Sequence, residues 1–347
     1  GVARQWSSFN DYSGMQPTRF NAVWDIYYGE LLVEVNSMIA DAQEDGYNHY
    51  VGIGQIQKAA ALLDMTDWWG SIPYTTAASG IEEVNPTFDT QESIYAEVFN
   101  LLASGSTNMG LSDGGFSVGN DDVIYGGDTS KWIKVANAIK ARAHLHLGQY
   151  AEALAAAKAS FTSQDDNMTY TYGTTQQAGW WRFNDGRLGD IEFHPHLRGI
   201  MTGLNDTDRL GVWDVTFNTS HPYLKPNYTQ AYISYREIQF IIAECLSRTN
   251  GSAAEMETAY LNGIKASFLE CGLTEAEYDT YVAQAAVNPG GASLDLEDHI
   301  LTQKYIGLFI QPEVFNDLRR NDFPALVPTS GSQIPVRWNY SEFEVLF

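Results

Sequence analysis

The sequence predicts an all-α protein, a repeat-like scaffold of paired helices interrupted by one long irregular insertion. Three observations predict this fold class. Apolar residues recur every three or four positions through most of the chain, glycines separate successive helical runs, and residues 161–228 show no sustained period. We expect one domain over residues 1–347, with helical hairpins at about 20–160 and 229–320.

The first two helices should form an antiparallel hairpin. Residues 21–42 carry one apolar stripe, which includes Trp24, Leu31 and Val35, and a second stripe follows at 51–69. The segment QEDGYNHY between them contains a glycine and mostly polar residues, and it predicts the turn that reverses the chain.

The following segments alternate between helix and loop. A third helix should begin after Asp89 or Thr90, because either side chain can accept a hydrogen bond from a free N–H group of the first turn. Residues 104–130 are rich in glycine, aspartate and asparagine without a period, which predicts a loop. Two helices broken at Gly148 follow up to about residue 160, and the tail returns to helix at 293–320.

Small residues indicate close crossing within two of the later helix pairs. Ala153 and Ala157 follow Gly148 at a spacing typical of tetratricopeptide repeats. The same plan recurs at 231–270, where Gly251 marks the turn between the helices. Two small residues are expected on the packing face of the second helix of that pair: Ala259 and Gly263.

The charge balance excludes polyanionic partners. The chain of 347 residues has 43 Asp and Glu against 20 Lys and Arg, which gives a net charge of −23. Residues 1–130 contain 18 acidic residues and only three basic ones, Arg4, Arg19 and Lys58. The negative electrostatic field of these residues repels nucleic acids and anionic lipid headgroups, so neutral molecules remain as candidate ligands.

The two cysteines, Cys245 and Cys271, are expected to be free thiols. They lie on the two arms of the predicted hairpin at 231–270, about one turn before the connection and about five turns after it. A rise of ~1.5 Å per residue places them roughly 20 Å apart along the helix axis, beyond the reach of a disulfide. No run approaches the ~18 apolar residues that a membrane-spanning helix needs.

Five ordered motifs resemble those of SusD-like proteins, in particular the RagB/SusD-like lipoproteins of Bacteroidetes. The segment LLDMTDWWGSIPYTTA resembles the family signature TD-x-[YW]-G-D-[IV]-P-Y, with Ser71 in place of the usual aspartate. The other four motifs follow in the family's order: FDTQESIY, DVIYGGDTSKWIKVANAIKARAHLHL, YISYREIQFIIAEC and ILTQKYIGLFIQPEVFNDLRRNDFPAL. A shorter segment, NDTDRL at 205–210, resembles the family's DPRl and predicts a salt-bridged turn.

The resemblance implies an all-helical surface lipoprotein that contains tetratricopeptide repeats and lies over a TonB-dependent outer-membrane transporter of the SusC type. Such proteins capture oligosaccharides, or in some members oligopeptides, and deliver them for import. The resemblance implies neither catalysis nor a cofactor. It also implies a lipid anchor on a cysteine near the mature N-terminus, and the cysteines of this sequence, Cys245 and Cys271, are not at that position.

The irregular insertion supplies most of the candidate ligand-binding residues. A non-catalytic sugar site needs aromatic faces, which pack on the apolar face of a pyranose, and polar groups that bond its hydroxyls. The candidates in the insertion are Trp180, Trp181, Phe183, Asn184, Trp213 and Tyr223. The alternative is that the adjacent Trp180 and Trp181 anchor the long loop on the helical body.

Two further aromatic groups lie outside the insertion. Trp69 occupies a position that defines the resembled family and is predicted to pack, whereas Trp68 is less constrained and is a further candidate for ligand contact. Near the N-terminus, Trp6, Phe9 and Tyr12 are predicted to be a docking arm onto the transporter or onto the helical body.

The sequence contains no short enzyme or metal motif. His144 and His146 are two apart on a helix and face different directions, which does not suit a shared metal. His194 and His196 flank a proline in a loop with Glu192 nearby and are a candidate site for zinc or a similar metal, and the acidic run at 120–122 is a candidate for a structural calcium ion. Carboxylates are numerous, so a glycan-cleaving carboxylate pair is kept as an alternative to sugar or peptide capture.

Overall fold

The computed structural model describes residues 14–77, 86–187, 189–214, 221–328 and 333–345. The predicted fold class is confirmed, since helices dominate the described chain and the strands are short. The candidate docking arm of Trp6, Phe9 and Tyr12 lies outside the described residues.

The described residues form two compact units, one from 12–143 with 332–347 and the other from 144–331. The single domain expected from the sequence stays a prediction. The helices and strands of the first unit are α1 (Asn21–Asp25), a π-helical segment (Ile26–Leu31), α2 (Leu32–Asp45), α3 (Asn48–Trp69), β1 (Ile72–Pro73), β2 (Phe88–Asp89), α4 (Gln91–Met109), α5 (Thr129–His146) and a C-terminal turn of helix (Glu342–Val345).

The predicted helix starts in this unit are confirmed with small shifts. The predicted hairpin is present as α1–α2 followed by α3, although α3 begins at Asn48, so the turn is shorter than the polar segment predicted. Thr90 is the N-cap of α4, and its hydroxyl accepts a hydrogen bond from the backbone N–H of Ser93 at 3.2 Å. The cap satisfies one of the N–H groups that a helix start leaves free.

Two glycines allow α3 and α4 to cross closely. A Cβ atom on Gly52 would lie 2.9 Å from the carbonyl oxygen of Gly105, and one on Gly105 would lie 3.0 Å from that of Gly52. Contacts this short leave no room for a side chain on either residue. The backbones of the two helices therefore touch at this crossing.

The adjacent tryptophans at the end of α3 are held by the C-terminal segment of the same unit. The Trp68 ring stacks on Trp338 with 4.5 Å between ring centroids and 20° between planes. Trp69 is fully buried, donates from Nε1 to the carbonyl oxygen of Asn339 at 2.9 Å, and meets the ring of Trp24 edge-on. This Trp-Trp pair is therefore a packing element, in agreement with the prediction for Trp69.

The second unit continues the helical pattern beyond α5. Its helices and strands are α6 (Tyr150–Lys158), β3 (Met168–Thr171), α7 (Gly179–Asp185), α8 (Pro195–Gly203), α9 (Thr207–Trp213), β4 (Thr229–Ile233), α10 (Tyr235–Arg248), α11 (Ala253–Glu270), α12 (Glu275–Val282), a π-helical segment (Leu296–Leu301), α13 (Thr302–Gly307) and α14 (Glu313–Asn321). The predicted break at Gly148 and the predicted hairpin at 231–270 are confirmed.

The crossing of α10 and α11 depends on Gly263, as the sequence predicted. A Cβ atom on Gly263 would lie 2.9 Å from two ring carbons of Phe240, whose side chain is fully buried. Ala259, one turn earlier on α11, is also buried. Small residues therefore let the aromatic ring of one helix rest against the backbone of the other.

The insertion at 161–228 is more regular than the sequence predicted. It contains α7, α8, α9 and the strand β3, which pairs with β4 in an antiparallel two-stranded sheet. These helices have seven to nine residues. They are too short for a 3.6-residue period to be recognised in a window of about 11 to 18 residues.

The predicted salt-bridged turn at 205–210 is confirmed. Arg209 is fully buried, donates from Nε and Nη2 to Asp206, and reaches Ser267 and Gln303 with its remaining N–H groups. A buried guanidinium that is paired and hydrogen-bonded in this way fixes α9 against α11 and α13.

The two cysteines of the chain do not form a disulfide. Cys245 and Cys271 are both free and buried, as predicted. Among the described residues, no helix combines the length and the apolar character required to cross a bilayer.

Candidate functional site

A large cleft opens in the second unit beside the two-stranded sheet. It has a volume of about 650 Å³, within the range of about 300–1,000 Å³ that is usual for small-molecule sites. Its lining residues come from β4, α7 and the chain around α7, β3 and α14: Tyr172, Ala178, Gly179, Trp180, Phe183, Ile191, Tyr228, Gln230, Ile310 and Pro312. We call this cavity the aromatic cleft.

The start of α7 positions the tryptophan of the cleft. Ala178 is buried, and its backbone N–H donates to the carbonyl oxygen of Pro226 at 2.9 Å. The N–H of Tyr172 likewise donates to the carbonyl oxygen of Tyr228 at 3.1 Å, just beyond the paired strands. These backbone bonds hold the segment before Trp180 against the segment before β4, and Trp180 lines the cleft.

The cleft presents aromatic surface without charge. Trp180 is 43% exposed, although large apolar side chains are usually covered. Phe183 is half-buried, and the guanidinium of Arg187 lies 5.6 Å from the centre of its ring. None of the lining residues is an acid, a base or a histidine, and the polar groups available to a ligand are the tyrosine hydroxyls and the Gln230 amide.

Tyr228 is one of the lining residues of the cleft, and the charges of Arg236 and Glu270 act on its hydroxyl. Its ring meets that of Tyr223 edge-on at 5.1 Å between centroids. Burial raises the pKa of the Tyr228 hydroxyl well above its ordinary value, with a smaller opposite effect of the Arg236 charge. The hydroxyl is therefore a neutral donor and acceptor over the whole physiological range of pH.

The structure brings two of the predicted ligand-binding residues together and places two others beside them. Trp180 and Phe183 both line the aromatic cleft. Trp181 is half-buried and is not among the lining residues, and Asn184 is 4% exposed. The adjacent tryptophans of the insertion therefore have different environments, since Trp180 lines the cleft and Trp181 does not.

Three other candidates are buried and do not line the aromatic cleft. Trp213 is fully buried and stacks on Phe309, with 5.0 Å between ring centroids. Trp68 is 7% exposed and stacked on Trp338. Tyr223 is 6% exposed and belongs to the same apolar core as Trp213. An aromatic ring must have a free face to stack on a sugar, and the rings of Trp213 and Trp68 are covered by protein.

Most of the cleft was not found by sequence reasoning. Tyr172 and Gln230 come from the two paired segments, and Ile310 and Pro312 come from the region before α14. The alternation of residues along β3 and β4 was the available signal, because alternate positions of a strand share a face. Strands of four and five residues are too short to carry that signal above the surrounding irregular sequence.

Two of the metal candidates, Asp122 and His194, accept hydrogen bonds from nearby residues. Asp122 accepts hydrogen bonds from the N–H groups of Ile124, Tyr125 and Gly127 and from the indole of Trp132, so the acidic run at 120–122 organises a turn. Nδ1 of His194 accepts a bond from the backbone N–H of His196 at the start of α8. No group of three or more His, Cys, Asp or Glu residues in the described ranges has a metal-binding arrangement. Calcium at 120–122 stays a prediction.

Comparison with protein families gives a match over nearly the whole chain. The SusD-like family model described as "Starch-binding associating with outer membrane" matches residues 3–221 and 212–341. No curated protein sequence matches this one.

Similar folds are found among solved structures. A SusD homolog from Bacteroides fragilis NCTC 9343 has a TM-score of 0.81 at 21% identity, covering 99% of this chain and 86% of its own. A SusD/RagB family protein from Bacteroides thetaiotaomicron VPI-5482 has a TM-score of 0.77 at 22% identity, covering 100% and 88%. A chitin-binding SusD homolog from Flavobacterium johnsoniae has a TM-score of 0.75 at 20% identity, covering 97% and 80%. At these identities the likeness shows the fold alone.

Proposed function

The chain belongs to the SusD-like family, and from this membership we propose that it is a non-catalytic binding protein that captures a neutral oligosaccharide in the aromatic cleft. We propose further that it is attached to the cell surface by an N-terminal lipid and passes the captured glycan to a SusC-type TonB-dependent transporter in the outer membrane. The family model's description, starch-binding and associated with the outer membrane, supports both parts.

The absence of charge in the lining of the aromatic cleft is the observation that supports a neutral sugar as the ligand. The aromatic cleft has no charged lining residue, although the whole chain has a net charge of −23. A pyranose presents an apolar C–H face that packs on an aromatic ring and hydroxyls that bond to tyrosine and amide groups. Trp180, Phe183, Tyr228 and Gln230 provide these two kinds of surface within one cavity.

A binding role also fits the energetics of a shallow aromatic site. Each aromatic pair contributes about 0.5–1.5 kcal/mol beyond the area that it buries, so a single ring gives weak binding. Several rings along one cleft bind an extended chain more tightly because the sugar units are already linked. We therefore expect polymers and longer oligosaccharides to be retained better than monosaccharides.

Affinity electrophoresis and calorimetry with chitin and starch oligosaccharides test the proposal. Trp180→Ala should weaken binding of the cognate glycan by about tenfold, because it removes the exposed face of the cleft. Trp181→Ala is the matched control, since the neighbouring indole does not line the cleft, and it should leave the affinity unchanged. Circular dichroism of both variants should match that of the parent protein.

Three results would contradict the proposal. Unchanged retention of Trp180→Ala on the cognate glycan would remove the aromatic cleft as the site. Binding of oligopeptides, with none of the glycans bound, would replace the sugar with a peptide ligand. Release of shorter products during incubation with the glycan would indicate catalysis.

A further inference from the structure

We propose a second ligand site in this unit: a polar cavity that binds one neutral sugar ring through a pair of adjacent hydroxyls. The cavity has a volume of about 400 Å³. Its lining residues are Asn167, Thr169, Pro222, Tyr223, Lys225, Asn227, Tyr228, Thr229, Ala231, Arg236, Glu270, Cys271, Gly272 and Gln311. We call it the polar cavity.

The two-stranded sheet separates the polar cavity from the aromatic cleft. Thr169 pairs with Ala231 and Thr171 pairs with Thr229, so these residues share one face of the sheet. Thr169, Thr229 and Ala231 line the polar cavity. Gln230, one position along the same strand, points to the opposite face and lines the aromatic cleft.

An ion pair at the polar cavity has unused hydrogen-bonding groups. Arg236, near the start of α10, and Glu270, the last residue of α11, come together through the hairpin, with Nη1 2.5 Å from Oε2. The Arg236 side chain is 2% exposed. Nε and Nη1 of Arg236 and Oε1 of Glu270 are buried, and none of them has a hydrogen-bond partner among the described residues, because the contact between Nη1 and Oε2 is an ion pair without hydrogen-bond geometry. Buried polar atoms are nearly always paired, so these atoms point to a ligand or a bound water.

The unused atoms define the chemistry of the ligand. Arg236 Nε can only donate, and Glu270 Oε1 can only accept. A carboxylate or phosphate would satisfy the arginine and be repelled by the glutamate. A hydroxyl both accepts and donates, so two adjacent hydroxyls of a sugar ring can satisfy both atoms at once. The threonines and asparagines around the cavity add further groups of this kind.

This site does not depend on the aromatic cleft being the oligosaccharide site. Tyr228 contributes to both cavities, while the other lining residues of the two differ. Each cavity also has its own glycine reporter, Gly179 in the aromatic cleft and Gly272 in the polar cavity. Binding at one can therefore be observed independently of binding at the other.

Titration of the ¹⁵N-labelled protein with glucose, followed by NMR, tests the proposal. The Gly272 amide and the Arg236 Nε–H signals should shift together and saturate. Ala231→Phe fills the polar cavity and should weaken the glucose affinity at these signals by at least about tenfold. Thr171→Phe, an equally bulky change on the paired strand at a residue that lines neither cavity, should leave that affinity unchanged. Circular dichroism checks that both variants fold.

The outcomes of the titration distinguish a sugar, an anion and water as the occupant of the polar cavity. Acetate at the same concentrations should not move the Arg236 signal, because Glu270 repels an anion, and a larger response to acetate than to glucose would overturn the proposal. Absence of any glucose response at Gly272 and Arg236 would leave only water as the occupant and would also overturn it. A Gly272 response without any effect of oligosaccharides on Gly179 would support the polar cavity and count against the proposed role of the aromatic cleft.

Discussion

Arg320 holds the buried carboxylate of Glu244 in a two-pronged ion pair. Nη1 lies 2.5 Å from Oε1, and Nη2 lies 2.9 Å from Oε2. Glu244 is fully buried on α10 and also contacts Lys304 at 3.2 Å and Arg248 at 3.0 Å. Because a buried charge is costly without partners, this network ties α10 to α13 and α14.

Glu244→Gln should destabilise the protein by about 3 kcal/mol at pH 7. The substitution keeps the shape of the side chain but removes a buried carboxylate that pairs with Lys304 and Arg320, which then keep only their contacts with Asp317 among these ion pairs. Breaking a buried pair typically costs about 3–5 kcal/mol. Urea unfolding monitored by circular dichroism measures the difference. Lys158→Gln is the control, because its ion pair with Glu255 is exposed and should contribute less than about 1 kcal/mol.

The loss of stability caused by Glu244→Gln should become smaller in acid. Burial alone would raise the pKa of Glu244, but Lys304 and Arg320 outweigh burial and lower it to about 2 from its ordinary 4.5. The ionised glutamate therefore stabilises the fold above pH 4.5, and its contribution disappears as the pH falls towards 2. The difference in stability between the variant and its parent should shrink over that interval, and a difference independent of pH would contradict the charge assignment.

Trp69→Ala should destabilise the protein by about 3–5 kcal/mol, because it empties a fully buried position and removes the hydrogen bond to Asn339. Trp180→Ala should change stability by less than about 0.5 kcal/mol, because Trp180 is 43% exposed. Urea midpoints of the two variants measure the contrast. Equal losses would mean that Trp180 is also a packing residue.

Gly263→Ala should cost about 1–3 kcal/mol, because the added methyl would overlap the buried Phe240 ring at the crossing of α10 and α11. Gly199→Ala is the matched control within α8, where an added Cβ has no neighbour within 4 Å among the described residues. It should be neutral or stabilising by up to about 1 kcal/mol, since alanine favours the helix. Thermal unfolding of both variants gives the comparison, and a neutral Gly263→Ala would contradict the tight crossing.

Glycan binding in the aromatic cleft should be insensitive to salt and to pH. The lining residues carry no charge, and tyrosine, their only ionisable type, has an ordinary pKa of about 10. Burial raises the pKa of Tyr228 further. Calorimetric affinities should therefore agree within about twofold between 50 and 500 mM salt and between pH 5 and 9. A steep loss of affinity with salt would indicate a charged ligand.

The recurring helices could be predicted from the sequence because their signals are local. The 3.6-residue period, the Thr90 cap and the break at Gly148 depend on neighbouring residues along the chain, and each is present in the structure. The turn at Arg209 was found through its resemblance to a family motif, while its partners Ser267 and Gln303 were not. Those contacts join residues 58 and 94 positions apart.

The candidate site was predicted only in part. Composition indicated that the insertion holds many aromatic rings, but composition does not show which rings have a free face. Trp180 and Trp213 have the same side chain and lie in the same insertion, yet the first is 43% exposed and the second fully buried. Packing against Phe309, nearly 100 residues further along the chain, makes that difference.

The sequence by itself determined the helical class of this protein and its family. It also showed a net negative charge, which repels polyanionic ligands. Periodicity, ordered motifs and net charge are properties of the linear chain, so no coordinates are needed to recognise them. Only the tertiary structure decided which aromatic residues form a cleft and which form a core. It also decided that Arg236 and Glu270 meet beside a cavity. The contacts and the exposure of a side chain depend on distant segments, which the local sequence does not specify.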